Sequence, residues 1–161
     1  MVERLFTPWR MAYVTSQDQA PGCALCRARD GEGGADRLVV TSGELCFVVM
    51  NLYPYTGGHV MVTPKRHLGS LGEATAAELA ELVGLAQRLE QVLRQEYHPD
   101  GINLGMNLGR AAGAGIADHI HLHVVPRWSG DTNFMTVVSG TRVIPEDPEQ
   151  ACLRLRPYFA R

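Results

Sequence analysis

No stretch of this sequence stays apolar for long. Its longest obvious run, residues 45–50, is far short of the ~18 residues that span a bilayer. The first thirteen residues are broken by Glu3, Arg4, Pro8 and Arg10, so they lack the unbroken apolar centre of ~7–15 residues found in a secretory leader. A cytoplasmic protein with no membrane attachment is expected. Excess positive charge is also missing. Fifteen Lys and Arg against seventeen Asp and Glu leave a net charge of −2, which gives no broad basic face for a nucleic acid.

Cysteine is scarce as well, with four residues at 23, 26, 46 and 152 in a chain of 161. A disulfide scaffold is the pattern of short secreted chains. Here two of the four form Cys23-Ala-Leu-Cys26, which reads as a metal or redox pair. Cys46 and Cys152 lie among apolar residues and are expected as small core hydrophobes. With 45% apolar and 20% charged residues, the composition excludes a disordered chain, a collagen-like chain and a coiled coil. No internal repeat is present, and the length suits one domain over residues 1–161.

Residues 38–41 and 45–52 read as strands joined by a short turn at Ser42-Gly43-Glu44. A third strand at 59–63 ends at Pro64. Leu79, Leu82, Val83, Ala86, Leu89 and Leu93 recur at helical spacing and make one apolar stripe. Thr75-Ala-Ala-Glu78 has the form of a capping box at the start of that helix, and Pro99-Asp100-Gly101 stops it. Gly84 within it costs roughly 1 kcal/mol relative to Ala unless it serves a close contact. Strands at 102–108 and 119–125 follow, separated by a Gly/Ala-rich loop. Asp147-Pro148 opens a short C-terminal helix. Strands joined by short turns, with few helices, predict an antiparallel α+β domain.

The most informative segment is Asp118-His119-Ile120-His121-Leu122-His123-Val124-Val125-Pro126. Side chains alternate along a strand, which places His119, His121 and His123 on one face and Ile120, Leu122 and Val124 on the other. Half of the six histidines stand here in strict alternation. Imidazoles in a row pack poorly, so a functional face is the better reading. The loop Gly109-Arg-Ala-Ala-Gly113-Ala-Gly115 precedes them. Three glycines without bulky neighbours could aim backbone N–H groups at an anion, although most such loops are merely turns. Three aligned imidazoles support either a metal site or phosphoryl chemistry, and the two are compatible. Neutral imidazole is a competent nucleophile toward phosphorus, and a neighbouring imidazole can supply the leaving group's proton.

The run from His119 to Val125 resembles the signature of the histidine triad family of nucleotidyl hydrolases and transferases. The block Asn51-Leu-Tyr-Pro-Tyr-Thr-Gly-Gly-His59-Val-Met-Val-Thr-Pro-Lys-Arg-His67 is similar to a second characteristic block of that family. The likeness covers roughly residues 38–135. Asn103-Leu-Gly-Met-Asn107-Leu-Gly, the loop 112–118 and Val125-Pro-Arg-Trp-Ser-Gly-Asp-Thr-Asn-Phe134 look most like the branch of bacterial diadenosine tetraphosphate phosphorylases. The resemblance implies a five-stranded antiparallel sheet with one long helix, usually paired into a homodimer.

It further implies that His121 attacks the α-phosphorus of a nucleotide or dinucleoside polyphosphate and forms a covalent nucleotidyl-histidine. His123 and His59 would contact phosphate oxygens or protonate the leaving group. Asn51 falls where the family meets the sugar, and Asn107 where a polar side chain reaches the phosphate. Gly113 and Gly115 would supply the loop that holds it. Water as the second acceptor makes a hydrolase; inorganic phosphate makes a phosphorylase. Cys23 and Cys26 match an N-terminal knuckle, within about residues 1–36, whose remaining ligands would be His67 and His119. That set would hold a closed, structural Zn²⁺; no organic cofactor is implied.

The chain departs from the family where many members carry Gln-Ser or Gln-Thr before the triad. Ala114, Gly115 and Ile116 stand there, so backbone N–H groups would have to replace side-chain donors. Asp118 could orient an imidazole or simply face solvent. Trp9, Tyr53, Tyr55 and Trp128 could offer faces to a base, and Lys65, Arg66 and Arg127 could screen a polyphosphate. The rival readings are a nucleoside phosphoramidase or other nucleotide hydrolase, and a nucleotide-binding regulatory module without turnover.

Overall fold

A computed structural model describes residues 22–131 and 146–160. Trp9, the rest of the N-terminal stretch before Gly22, and residues 132–134 of the block after the histidines lie outside the described residues. The sheet is built from β1 (Val39–Ser42), β2 (Cys46–Met50), β3 (Val60–Pro64), β4 (Gly101–Gly105) and β5 (Leu122–Arg127). The spatial order is β1-β2-β3-β5-β4, antiparallel throughout. Among the described residues three α-helices accompany it: α1 (Ala24–Asp30), α2 (Ala76–Tyr97) and α3 (Pro148–Leu155). The expected α+β architecture, with one long helix and a short C-terminal one, is therefore present.

α2 is the long helix, and both halves of its capping box form. Thr75 Oγ1 accepts from the Glu78 backbone N–H, and Glu78 accepts from the Thr75 N–H. Glu78 is buried at the same time and takes two hydrogen bonds from the Arg66 guanidinium at 2.7 and 2.8 Å. The Arg66 bonds, then those from Thr75, hold its carboxyl at about 2. Arg66 thus ties the turn after β3 to the start of the helix. The buried face is Leu82, Ala86, Leu89, Val92 and Leu93; Val83, assigned to the stripe from spacing, is exposed. A Cβ added at Gly84 meets no atom within 4 Å, so that glycine serves no close contact. α2 packs on β2, β3 and β5, and α3 on β1 and β2. Asp147 caps α3 by accepting from the N–H groups of Glu149 and Gln150. Cys46 and Cys152 are fully buried in the shared core, as expected.

The strand bounds need two corrections. β5 begins at Leu122, so His119 and His121 precede the ladder instead of lying within it. Ile120 is held there by its N–H donating to the Leu68 carbonyl at 2.8 Å, and its own carbonyl accepts from Thr63 Oγ1. β4 ends at Gly105, opposite His123, because its ladder with β5 stops there. Residues 106–108 are accordingly released from the sheet toward the site.

The register fixes the two faces. Met61, His123 and Gly105 lie side by side across β3, β5 and β4. Val60, Val124 and Leu104 do so on the opposite face, where α2 covers Val60 and Val124 completely. The odd-numbered residues of β5 therefore face away from the long helix, as period-two alternation requires.

Candidate functional site

The turn after β2 brings Asn51, Tyr55 and His59 against the start of β5. His59 is fully buried and His121 is 4% exposed, yet neither is packed among hydrocarbons alone. The rings of His59 and His123 are 5.1 Å apart, and those of His121 and His123 are 4.8 Å apart in an edge-on arrangement. Tyr55 stacks on His59 at 4.8 Å. Three imidazoles are thus gathered in one cluster, drawn from the turn before β3 and from the segment entering β5.

The hydrogen bonds decide which nitrogen of each ring carries a proton. The Tyr55 N–H donates to His59 Nδ1 at 3.0 Å. His59 must then carry its proton on Nε2, which lies 3.0 Å from His123 Nδ1 and donates to it. With Nδ1 accepting, neutral His123 holds its own proton on Nε2. His121 Nδ1–H donates to the His119 carbonyl at 2.9 Å, which leaves the lone pair on Nε2. A one-way relay therefore runs from backbone to His59 to His123, beside a ring that presents a free lone pair.

Electrostatics keep these rings neutral. Burial first, then His123 and His121, hold His59 at about 3. Burial and then His121 hold His123 at about 4. Burial also lowers His121, opposed by its bond to the His119 carbonyl.

Two adjoining cavities open onto the cluster. The smaller, about 100 Å³, is bordered by His121, Asn51, Met61, Gly115 and Ile116 among others. The larger, about 550 Å³, runs along β4 and the end of β5 and is bordered by Asn103, Met106, Val125 and Arg127 among others. Tyr55, Asn107, Gly113 and His123 border both. Asn51, Asn107, Gly113, Gly115, His121 and His123 thus border the same pair of cavities. Asn51 Nδ2 lies 3.4 Å from the ring nitrogens of His59, and its Oδ1 accepts from the Tyr53 N–H.

The loop itself differs from expectation. Residues 110–112 form a short 3-10 turn, in which the Gly113 N–H donates to the Arg110 carbonyl and the Ala114 N–H to the Gly109 carbonyl. Those two donors are engaged within the loop, so Gly113 serves the cavities as a wall. Lys65 and Arg66 border neither cavity. Lys65 donates to the Gly43 carbonyl and Arg66 holds Glu78, so both have structural roles. Tyr53 and Tyr55 do line the smaller cavity.

His119 turns the other way. It is fully buried, and its Nε2–H donates to the Pro64 carbonyl at 2.9 Å, leaving Nδ1 as the lone-pair nitrogen. That nitrogen lies 3.3 Å from Cys23 Sγ and 3.6 Å from Cys26 Sγ, while Cys26 Sγ lies 3.4 Å from His67 Nδ1. All four ligand atoms fall within 4.8 Å of one another. A tetrahedral ion with bonds of about 2.3 Å to sulfur and 2.0 Å to nitrogen requires sulfur–nitrogen edges of about 3.5 Å. The donor set fits such an ion, with every ligand supplied by the protein. Asp118, 73% exposed, approaches His67 Nε2 at 3.7 Å on the outer side of this group. Burial, then Cys23, raises the Cys26 thiol. A bound cation would reverse that balance, since a coordinating thiol is deprotonated.

Sequence reasoning missed the backbone groups that orient the rings: the Tyr55 N–H and the carbonyls of Pro64 and His119. It also missed Asn103, Met61 and Thr56 as neighbours of the cavities. The Pro64 carbonyl reaches His119 only through tertiary folding, whereas the Tyr55 N–H and the His119 carbonyl lie four and two residues from the rings they orient.

The profile of the HIT domain matches residues 32–130. A Mycobacterium tuberculosis protein named AP-4-A phosphorylase is 40% identical over 156 residues, covering 90% of this chain and 78% of its own. The bis(5'-adenosyl)-triphosphatase of Dictyostelium discoideum is 37% identical over 84 residues, covering 52% of this chain and 56% of its own. The crystal structure of a Zn-bound histidine triad family protein from Mycobacterium smegmatis superimposes with a TM-score of 0.67 at 31% identity, over 85% of this chain and 92% of that one.

The depressed values at His59 and His123 generate a prediction. Because both lie well below the ordinary imidazole value, both rings stay neutral as pH falls from 7 to 5, with the proton on Nε2. Nitrogen-15 NMR of the side chains should give Nε2–H tautomers that do not titrate in that window. A cationic His123 at pH 6 would contradict the relay.

Proposed function

The chain belongs to the HIT family, and on that premise we propose that it is a phosphorylase of dinucleoside polyphosphates, with diadenosine tetraphosphate as a substrate. One observation carries this reading. A neutral His121 with its lone pair on Nε2 stands beside His123, which holds a proton on Nε2, at the border of a cavity. The nucleophile thus stands beside a hydrogen-bond donor for the departing oxygen, with both rings already neutral.

The steps follow from those atoms. His121 Nε2 attacks the α-phosphorus, forming a phosphorus–nitrogen bond. The bond from that phosphorus to its bridging oxygen breaks, and the nucleotide departs as its phosphate anion, with the Nε2–H of His123 donating a hydrogen bond to the oxygen that gains the charge. His59 holds that donor in place by donating from Nε2 to His123 Nδ1. In the second step, an oxygen of inorganic phosphate attacks the same phosphorus, the phosphorus–nitrogen bond breaks, and the electron pair returns to Nε2 of His121. Diadenosine tetraphosphate plus phosphate would yield ATP and ADP; with water as acceptor the second product would be AMP. Phosphate is favoured by the extent of the likeness to the Mycobacterium phosphorylase. Asn51 is assigned to the sugar, and Asn107 and Gly115 to the phosphate.

We assign Zn²⁺ to Cys23, Cys26, His67 and His119, in line with the zinc-bound relative. The ion would cross-link the segment around α1 to the residues entering β5. With all four positions filled by protein, it would have no vacancy for substrate. His119 is thereby a structural ligand and not a catalytic residue. We read the whole chain as one HIT-type domain working as a cytoplasmic homodimer. Among the described residues no helix is long and apolar enough to cross a membrane.

Two measurements test these readings. Incubation with diadenosine tetraphosphate and phosphate should give equimolar ATP and ADP by chromatography; AMP released at the same rate without phosphate would make the protein a hydrolase. Elemental analysis should find about one zinc per chain, and Cys23→Ser should lose it with a lowered melting temperature. A metal-free wild type of full stability would reject the metal assignment.

A further inference from the structure

The reaction above needs space for two nucleotide portions, and the cavities divide it unequally. The smaller one, about 100 Å³ at His121, lies below the roughly 300–1,000 Å³ typical of small-molecule sites; the larger, about 550 Å³, falls within that range. His123 stands on the border between them. The departing oxygen is met by the Nε2–H of His123, which borders both cavities, so the group it carries extends into the one with room for it, the larger.

That cavity is a trough formed by sheet geometry. His123, Val125 and Arg127 project from the same face of β5, and Arg127 lies about 13 Å along the strand from His123 at ~3.3 Å per residue. Across the ladder, β4 places Gly105 opposite His123 and Gly101 opposite Arg127. Both positions are bare, since a Cβ built on either would meet no atom within 4 Å. Only Asn103, opposite Val125, projects between them. The trough has apolar borders at Val125 and Met106, an aromatic one at Tyr55, and polar groups at its far end.

Those polar groups are held in place with donors to spare. Arg127 donates from Nε and one terminal nitrogen to Asp131, at 2.5 and 3.0 Å, and from the other terminal nitrogen to Asn103 Oδ1 at 2.9 Å. Three of the five guanidinium N–H groups are committed by these bonds, leaving two, and Asn103 retains its amide N–H₂. Asp131 offsets the charge of the guanidinium, so the end of the trough is a fixed hydrogen-bonding surface and not a bare cationic one. That chemistry suits the base and sugar of a nucleoside better than a naked phosphate.

Resting on the proposed function, we infer that the trough between β4 and the end of β5 is the subsite for the leaving nucleotide. Its nucleoside lies over Gly105 and reaches Asn103 and Arg127. This subsite makes the enzyme select substrates with a nucleoside at both ends of the phosphate chain.

The test compares diadenosine tetraphosphate with adenosine 5′-tetraphosphate, which has the same phosphate chain but lacks the second nucleoside. The wild type should prefer the dinucleotide in kcat/KM by about tenfold or more, the value of one or two hydrogen bonds with some buried surface. Gly105→Leu fills the trough from its floor and Arg127→Ala removes its far contacts. Each should cut the ratio of the two kcat/KM values by about tenfold. The ratio is its own control, because damage to the fold or to the catalytic histidines lowers both values together. A ratio that stays at the wild-type level in both variants, or a wild type without preference, overturns the subsite while leaving the proposed function intact. A wild type that turns over neither compound overturns the proposed function and the subsite with it.

Discussion

The hydrogen bond from His121 Nδ1–H to the carbonyl of His119, 2.9 Å long, is the constraint on which the site depends. It fixes the ring's tautomer and aim with a backbone atom that is itself immobilised. The side chain of His119 is anchored to the Pro64 carbonyl on one nitrogen and faces the two cysteines with the other. Ile120 between the two histidines is bonded at both its N–H and its carbonyl. One short segment just before β5 thus joins the Cys/His group to the cluster that borders the cavities. Residues 119 and 121 have the same ring, yet opposite nitrogens carry the proton, and this divides one histidine run into two separate sites.

The cluster of His59, His121 and His123 is dry enough to remain neutral. Burying three imidazoles so close together makes protonation of any one costly, because each cation would face its neighbours in a poorly hydrated pocket. The backbone N–H of Tyr55 then supplies direction, since it can only donate and so sets the order of the relay behind it. Preorganisation of this kind reduces the proton rearrangement needed when a substrate arrives. A cavity border with a lone pair at one ring and a proton at its neighbour is suited to displacing a group from phosphorus, which agrees with the family to which the chain belongs.

Much of this was legible in the residues. Alternation put His121 and His123 on one side, where both border one cavity, and the spacing of Cys23 and Cys26 suggested a metal or redox pair, which the fold brings to His67 and His119. The capping box at Thr75 and Glu78 and the start of α3 at Asp147 are local signals, and each formed as the chain dictates. Most of what failed depended on contacts distant in sequence. The run 119–125 reads as one strand, but Leu68 and Thr63 capture Ile120 and delay the ladder to Leu122. Glycines at 109, 113 and 115 suggested a ring of backbone donors. The 3-10 turn at 110–112 instead engages the N–H groups of residues 113 and 114, a choice that composition cannot reveal. Arg66 beside Lys65 looked like a patch for phosphate, yet its partner is the buried helix cap twelve residues on. The trough beside β4 could not be foreseen either, since the pairing of Gly101 and Gly105 with β5 exists only in the folded register.

The central claim is that the nitrogen lone pair used for chemistry belongs to residue 121. Its most direct test is rapid-quench mass spectrometry of the enzyme mixed with diadenosine tetraphosphate in phosphate-free buffer, followed by peptide mapping at alkaline pH, where a phosphorus–nitrogen bond to histidine survives. The account predicts one adenylyl group per modified chain, located on His121. An adduct located on His119, His123 or His59, or turnover with no adduct at any quench time, would contradict it.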